Sequence, residues 1–215
     1  MLVLAVDTSG RLGGITVARG DNDSFAVIES ASIEGGTFSA ELIPQISDLL
    51  KRHNLTAQDI QGLVAVTGPG SFTGLRVGLT AVKGLSEVLQ IPIAAVTALD
   101  LLLATATDSP AMGVIDAGRN EVYAAWHQNG ERQELLLPFT DAVESAKSQS
   151  LRVVASDANL VAGFENAKLV TYRSSELAAR IGLKKLLSGE TTDVLALDAN
   201  YIRKSEAEYM QKLKK

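Results

Sequence analysis

Residues 62–78 read GLVAVTGPGSFTGLRVG, and this stretch indicates a buried strand, a tight turn and a helix in succession. Gly62–Thr67 is a short apolar run, as expected of a strand buried on both faces. Gly68–Gly74 contains three glycines and a proline, which end the strand. A helix is predicted from Leu75 to Gln90. A strand, a turn and a helix in this order are typical of α/β proteins.

The glycine turn is a candidate phosphate cradle. Free backbone N–H groups at the start of a helix attract anions, and glycines allow a ligand to approach the backbone closely. The turn lacks the Gly-Lys-Ser/Thr of a P-loop, and Ser71 lacks the flanking glycines of a nucleophile elbow. A strand-to-helix turn capped by a hydroxyl is an equally good interpretation. The residues that could contact phosphate are Gly68, Gly70, Ser71 and Thr73.

Strands and helices alternate on both sides of this stretch. The predicted strands are Val3–Val6, Gly14–Ala18, Phe25–Ala31 and Ile93–Val96, and the predicted helices are Ser39–Lys51 and Ala98–Thr107. In the first of these helices, Leu42, Ile43, Ile46, Leu49 and Leu50 recur with a helical period and form one apolar face. The alternation predicts an α/β fold in which a mixed sheet is flanked by helices.

The second half of the chain begins with a pattern that resembles the first half. A predicted strand at Met112–Ile115 leads into Asp116 and Gly118-Arg119, and a second strand follows. In the same way, Asp7 and Gly10-Arg11 stand between the first two strands of the chain. An internal repeat of this kind predicts two similar lobes in tandem.

The repeat places a boundary between the lobes near Asp108–Pro110. The first lobe comprises residues 1–108 and the second residues 109–215, each a mixed sheet flanked by helices. The second lobe is predicted to be the smaller one. Its other predicted elements are a strand at Leu151–Ser156, a helix at Ser175–Leu187 and a charged terminal helix at Ala199–Lys215.

The turn Asp7-Thr8-Ser9 is a candidate site for a magnesium–nucleotide. A carboxylate at a strand end can bind metal-bound water, and hydroxyls and amides can bind phosphate. A simple Asx or ST turn explains the same residues. Asp116 is the matching carboxylate in the second half, but its hairpin lacks hydroxyl residues, and residues 188–200 lack a glycine pair that could seat an adenosine. Any nucleotide site is therefore degenerate, and no catalytic residues are predicted.

The composition excludes several classes of protein. The chain has 215 residues, 20 Lys and Arg against 25 Asp and Glu, and a net charge of −5, which disfavours a stand-alone nucleic-acid binder. It has no cysteine and two histidines, which excludes Cys-ligated metals and makes a histidine metal site improbable. No stretch approaches the ~20 apolar residues of a spanning helix, and no signal peptide is recognised. We therefore expect no metal centre, no membrane segment and a cytoplasmic location.

Four motifs resemble those of the TsaB (YeaZ) family, which serves threonylcarbamoyladenosine modification of tRNA. Val64–Gly78 resembles the glycine signature of that family, and Leu4–Ser9 resembles its opening strand. Asp116–Tyr123 is similar to its mid-chain motif, and Asn200–Arg203 is similar to its C-terminal Tyr-Leu-Arg. The resemblance runs from end to end. It implies an actin/Hsp70-like fold (the ASKHA, ribonuclease H-like class) with two tandem lobes.

The resemblance also implies a function. It implies a non-catalytic subunit that pairs with and stabilises a catalytic paralogue, TsaD, together with an ATPase, TsaE. The complex would make N6-threonylcarbamoyladenosine at position 37 of tRNAs that read ANN codons. Contact with tRNA would occur only through the complex, and a homodimer would form when TsaD is absent. No tightly bound cofactor is implied, and ATP or ADP is a candidate ligand at a degenerate cleft or a subunit boundary.

Two alternatives belong to other functional classes. The Asp7-Thr8-Ser9 turn and the repeat favour an autonomous ATP-dependent kinase or ATPase of the actin-like superfamily, whereas the missing adenosine glycines oppose it. A peptidase is opposed by the absence of cysteine, of a nucleophile elbow and of a histidine pair. Phe38 occupies the point where many members of the family have a histidine.

The resemblance assigns the pairing surface to the two helices of the first lobe. The contacts it predicts are Leu42, Ile46, Leu49, Arg76, Gly78, Ala81 and Gly84. Small residues would allow close approach of a partner helix, and the apolar side chains would supply buried area. We expect the substitution Gly78→Arg to abolish pairing without unfolding the chain.

Overall fold

The computed structural model describes residues 1–107, 110–171, 174–200 and 202. The chain divides into two units. The first comprises Met1–Leu101 and Thr171–Ala199, and the second comprises Leu102–Val170 with residues 200 and 202. Each unit contains one five-stranded sheet.

The first sheet is mixed and has the strand order β3-β2-β1-β4-β5. Its strands are β1 (Leu2–Asp7), β2 (Leu12–Gly20), β3 (Phe25–Glu34), β4 (Gly62–Val66) and β5 (Ile93–Val96). The helices between them are α1 (Phe38–Arg52) and α2 (Phe72–Leu89), and α3 (Ala98–Ala104) follows β5. β1, β4 and β5 are parallel, and β2 is antiparallel to β1 and β3.

The second sheet repeats this topology, with the order β8-β7-β6-β9-β10. Its strands are β6 (Ala111–Gly118), β7 (Glu121–Gln128), β8 (Glu131–Pro138), β9 (Arg152–Ala155) and β10 (Ala167–Leu169). The helices between them are α4 (Phe139–Ser148) and α5 (Ala158–Val161). In each sheet four strands run in one direction, and the second strand along the chain, β2 or β7, runs in the opposite direction. This arrangement confirms the two-lobed, ribonuclease H-like fold.

Local sequence explains the tight hairpins of the second sheet. Arg119 and Asn120 join β6 to β7 with φ angles of 58° and 59°. Asn129 and Gly130 join β7 to β8 with φ angles of 53° and 83°. Two consecutive residues with positive φ form the type I′ turn, whose twist matches that of the strands, and Asn and Gly tolerate it best.

The last helix, α6 (Ser174–Leu187), packs on the first sheet, across β2, β1, β4 and β5. Its buried face includes the small residues Ala178, Ala179 and Gly182. A Cβ on Gly182 would overlap the methyl groups of Val64, so the helix lies very close to the sheet. The division predicted at 108/109 assigned this helix to the second lobe. That assignment is wrong, because the small face of α6 fits the first sheet.

Several other elements differ from the predictions. β8, α4, α5 and β10 were not predicted, and β6 continues two residues past Asp116. The predicted terminal helix at Ala199–Lys215 lies outside the described residues, apart from residues 199, 200 and 202. In the part of the chain that the structure describes, no helix is both long and apolar enough to cross a membrane.

Candidate functional site

The carboxyl ends of two neighbouring strands bring the predicted phosphate residues together. β1 and β4 are parallel, with Val3 opposite Gly62 and Val6 opposite Ala65. Asp7–Ser9 follows β1, and the glycine turn follows β4, so both segments lie at the same end of the sheet. We call this region, Asp7–Ser9 with residues 67–78, the first-sheet edge.

Glycines allow α2 to pack directly on the backbone that follows β1. A Cβ on Gly70 would come within 3.0 Å of the carbonyl oxygen of Ser9. A Cβ on Gly74 would come equally close to the carbonyl oxygen of Thr8, and one on Gly78 to the hydroxyl of Thr8. No side chain fits in these contacts. The glycines that resemble a phosphate cradle therefore accommodate the chain's own backbone.

Hydrogen bonds join several polar groups of the first-sheet edge. The N–H of Ser71 donates to the carbonyl of Ser9 at 2.7 Å. The N–H and hydroxyl of Ser9 donate to Oδ1 of Asp7 at 2.9 Å and 2.6 Å. Asp7, Thr8 and Ser9 are only 3%, 2% and 8% exposed. Of the residues proposed to bind a magnesium–nucleotide, Asp7 and Ser9 are thus paired with each other, and Thr8 is buried between them.

The start of α2 is the exposed part of the first-sheet edge. Gly70, Ser71 and Thr73 are solvent-exposed. The hydroxyl of Ser71 accepts the N–H of Gly74 at 3.3 Å and caps the helix. The buried Gly68, which follows the sheet with a φ of 97° and a cis bond to proline, accepts the N–H of Ala98 at 2.6 Å. The interpretation as a strand-to-helix turn capped by a hydroxyl is therefore confirmed.

Asp116 belongs to the second unit and has a different environment. It is exposed, and its Oδ1 accepts the N–H of Gly118 at 2.9 Å. Beside it lies a pocket of about 330 Å³ whose polar lining includes Glu121, Asp157 and Asn159. Of the residues that the structure describes, no three His, Asp or Glu side chains are grouped so that they could hold a metal ion.

Comparison with known proteins identifies the family. The family described as "TsaD: tRNA N6-adenosine threonylcarbamoyltransferase" matches residues 34–213. The chain is 31% identical to the tRNA threonylcarbamoyladenosine biosynthesis protein TsaB of Bacillus subtilis, over 97% of this chain and 96% of that protein. The chain belongs to the TsaB (YeaZ) family. TsaB of Escherichia coli is 29% identical over 61% of this chain and 57% of its own length.

This chain also has the fold of a solved structure of the TsaB (YeaZ) family. YeaZ from Pseudomonas aeruginosa superposes with a TM-score of 0.72 at 23% identity, and the match covers 92% of this chain and 98% of that one. The family places the chain in tRNA threonylcarbamoyladenosine biosynthesis. The resemblance of the four motifs to TsaB is therefore confirmed.

Most of the predicted partner contacts lie in the chain's own core. Leu42, Ile46 and Leu49 are 1%, 5% and 0% exposed and belong to the hydrophobic core of the first unit. Gly78 is buried against Thr8. These four predictions are wrong, because the apolar stripe of α1 and this part of α2 cover the chain's own sheet and turn. Their side chains leave no surface for a partner.

The exposed faces of the same helices carry other apolar residues. Ile43 on α1 is 54% exposed, and Phe72 and Val88 on α2 are 51% and 81% exposed. Arg76 is exposed, with its guanidinium 3.9 Å from the ring centroid of Phe72. Ala81 is half-buried, and Gly84 is exposed. The sequence alone could have indicated that Ile43 is exposed, because it stands at the margin of the apolar stripe of α1.

Proposed function

We propose that this chain is a non-catalytic subunit of the machinery that makes N6-threonylcarbamoyladenosine in tRNA. In this proposal it pairs with a catalytic partner like TsaD, and an ATPase like TsaE completes the assembly. The observation that carries the proposal is the first-sheet edge. Oδ1 of the buried Asp7 accepts the N–H and hydroxyl of Ser9, and the carbonyl of Ser9 accepts the N–H of Ser71, so these groups are not directed at a substrate. Membership of the TsaB family places the chain in tRNA threonylcarbamoyladenosine biosynthesis.

We propose that the partner binds the exposed faces of α1 and α2. Ile43, Phe72 and Val88 supply apolar surface there, and exposed large apolar side chains on neighbouring helices are typical of protein interfaces. The two helices are in contact with each other. At Gly84 a Cβ would meet no atom within 4 Å, so a partner helix could approach closely. A stable interface needs roughly 800 Å² from each partner, which two helices can provide.

The exposed apolar residues of α1 and α2 also lead us to propose a homodimer when the catalytic partner is absent. An interface in which one patch meets its own copy is the commonest arrangement in oligomers. With a formal charge of −5, the chain alone is a poor match for the phosphate backbone, so we propose that tRNA is contacted through the complex.

Size-exclusion chromatography with light scattering, with and without TsaD from the same organism, tests the pairing. We expect a one-to-one complex with the unmodified chain and none with Gly84→Arg, because the arginine would stand where the partner helix packs. Gly78→Arg is unsuitable, since it would collide with Thr8 and unfold the first unit. Ser148→Arg, at an exposed helical position of α4, is the matched control and should pair normally.

Pairing that survives Gly84→Arg and Val88→Asp would refute the proposed surface. If the unmodified proteins elute separately even with ATP and TsaE present, the subunit role itself fails.

A separate measurement tests the proposal that no cofactor is tightly bound. Calorimetry with ATP and Mg²⁺ should give no tight binding to the chain alone, because ligands at the first-sheet edge would have to displace the Ser71–Ser9 and Ser9–Asp7 hydrogen bonds. Tight binding with turnover would instead support the autonomous kinase. Binding that appears only in the complex would place ATP or ADP at a subunit boundary.

A further inference from the structure

A second surface of the first unit lies between the β2–β3 hairpin and the C-terminal half of α6. A pocket of about 420 Å³ opens there, within the range of roughly 300–1,000 Å³ typical of ligand pockets. Arg180, Lys184 and Leu187 form a stripe along α6, because residues three and four apart share a helix face. The hairpin residues Asp21 and Phe25 form the opposite wall.

Two cations of this pocket have no carboxylate partner among the described residues. The guanidinium of Arg180 lies 4.4 Å from the ring centroid of Phe25. Stacking uses the face of the guanidinium and leaves its in-plane N–H groups available for an anion. Within the described part of the chain, neither Arg180 nor Lys184 forms a salt bridge. Lys185, the neighbour of Lys184, contrasts with them, since it pairs with Glu190 at 2.7 Å.

Asp21, on the wall opposite α6, bonds to its own turn and not to these cations. Oδ1 of Asp21 accepts the hydroxyl of Ser24 at 2.9 Å and the N–H groups of Asp23 and Ser24 at 3.0 Å and 2.9 Å. These hydrogen bonds, that from the Ser24 hydroxyl first, hold the pKa of Asp21 below its usual range. Asp21 is therefore an ionised group committed to its own turn.

The base of the pocket is apolar. Leu183 is buried and packs on Gly20 at the foot of the hairpin, and Leu187 is 36% exposed. Phe25 adds its ring. An occupant therefore meets two cations beside an apolar base.

We propose that this pocket binds a short segment of a partner protein in which a carboxylate stands next to a large apolar side chain. The carboxylate would bond to Arg180 and Lys184, and the apolar side chain would lie against Phe25, Leu183 and Leu187. Arg favours carboxylates because its N–H groups match their geometry in a bidentate pair.

The pocket favours a peptide over a nucleic acid. Asp21 and Asp23 stand on its wall, so the formal charges of the pocket sum to zero and a polyanion gains no attraction. A nucleic-acid surface would instead carry an excess of cations. In the proposed segment, the acidic side chain matches the two cations of the pocket, and the apolar side chain matches its apolar base.

The experiment is a titration of the ¹⁵N-labelled full chain, followed by NMR, with the peptide acetyl-Gly-Leu-Asp-Leu-Phe-Gly-amide. We expect chemical-shift changes confined to residues 20–25 and 180–188. The same peptide with Asn in place of Asp should bind at least ~10-fold more weakly, since hydrogen bonds to a charged group are lost. This comparison uses the unmodified protein and does not depend on the folding of any variant.

Variants test the two cations. Arg180→Gln should weaken the Asp peptide about tenfold, and Lys184→Glu should reverse the preference towards a peptide with Lys in place of Asp. Lys168→Gln, at an exposed position of β10, is the matched control and should bind like the unmodified chain.

Three results would overturn the proposal. One is equal binding of the Asp and Asn peptides, and another is shift changes outside the pocket. The third is perturbation of the same residues by a ten-nucleotide single-stranded RNA at lower concentration than the peptide. Because this pocket is separate from the α1–α2 surface, Gly84→Arg should leave peptide binding intact. Failure of one proposal is therefore distinguishable from failure of the other.

Discussion

Replacement of Gly74 by alanine should destabilise the chain, although alanine is the better helix former. Gly74 lies in the first turn of α2, and an added methyl would meet the carbonyl oxygen of Thr8 at less than 3.0 Å. That oxygen belongs to a buried backbone and cannot rotate away. Gly84, in the same helix, is the matched control because a methyl there would meet nothing within 4 Å.

Two opposing effects set the size of the change. Alanine in place of glycine within a helix stabilises by up to about 1 kcal/mol. Overpacking of a tight contact costs about 1–3 kcal/mol. Gly84→Ala gains the first effect alone, so we expect about 0.5–1 kcal/mol of stabilisation. Gly74→Ala has both effects, and we expect a net loss of about 1–2 kcal/mol.

Thermal unfolding followed by far-UV circular dichroism measures the difference. For a chain of this size each kcal/mol shifts the midpoint by about 2–4 °C, so the two variants should differ by roughly 3–12 °C. Urea unfolding should show the same order of midpoints with unchanged slopes. If Gly74→Ala is as stable as Gly84→Ala, the close approach of α2 to Thr8 is wrong, and the glycines would again be open to interpretation as a ligand cradle.

Two further predictions concern other contacts of the first unit. Gly182→Ala should destabilise by about 1–3 kcal/mol, because its methyl would overlap the side chain of Val64; an unchanged urea midpoint would contradict the close packing of α6. Hydrogen bonds from Arg52, and to a smaller extent from His53, lower the pKa of Glu29. The ionised form of Glu29 therefore stabilises the fold at a pH above its unfolded-state pKa. This stabilisation is lost as the pH falls through the lowered pKa of the folded state. Glu29→Gln should therefore be slightly less stable than the unmodified chain at pH 6, and a difference in urea midpoint that does not shrink as the pH is lowered through the acid range would refute this.

The first sheet was predictable because each of its elements has one clear periodicity. β5 has the predicted bounds, Ile93–Val96, and α1 extends the predicted helix by one residue at each end. Both are apolar at the period of their own structure, and tight turns separate them from their neighbours. The strand order could then be inferred from the family that the motifs resemble.

The second unit was less predictable because its elements are short or lie at the edge of the sheet. β8, at Glu131–Pro138, is an edge strand with four charged or amide residues before its leucines, so it lacks the apolar alternation of a buried strand. β10 has three residues and α5 has four, both below the length at which a period can be recognised. The position of α6 on the first sheet depends on a long-range fit between Gly182 and Val64, which no local pattern encodes.

The glycine motif by itself does not show whether its residues bind phosphate or allow close packing. A glycine turn between a strand and a helix is compatible with bound phosphate and with close packing. The spacing distinguishes these two interpretations, because Gly74 and Gly78 are four residues apart and so lie along one face of α2, whereas Gly70 stands in the turn before the helix. A phosphate cradle needs glycines only in the loop, whereas a helix packed on a backbone needs them along its face.

Comparison with the second unit shows that Asp7 is buried because of the helix that packs over it, and not because of the strand order. α2 and α5 occupy the same place in the two repeats, after the second parallel strand, but α2 has 18 residues and α5 has four. The long glycine-bearing helix covers the turn after β1 and buries Asp7, whereas Asp116, at the matching position, remains exposed beside a pocket. One strand order therefore gives one buried carboxylate and one accessible carboxylate. The length and glycine content of the helix that follows decide which.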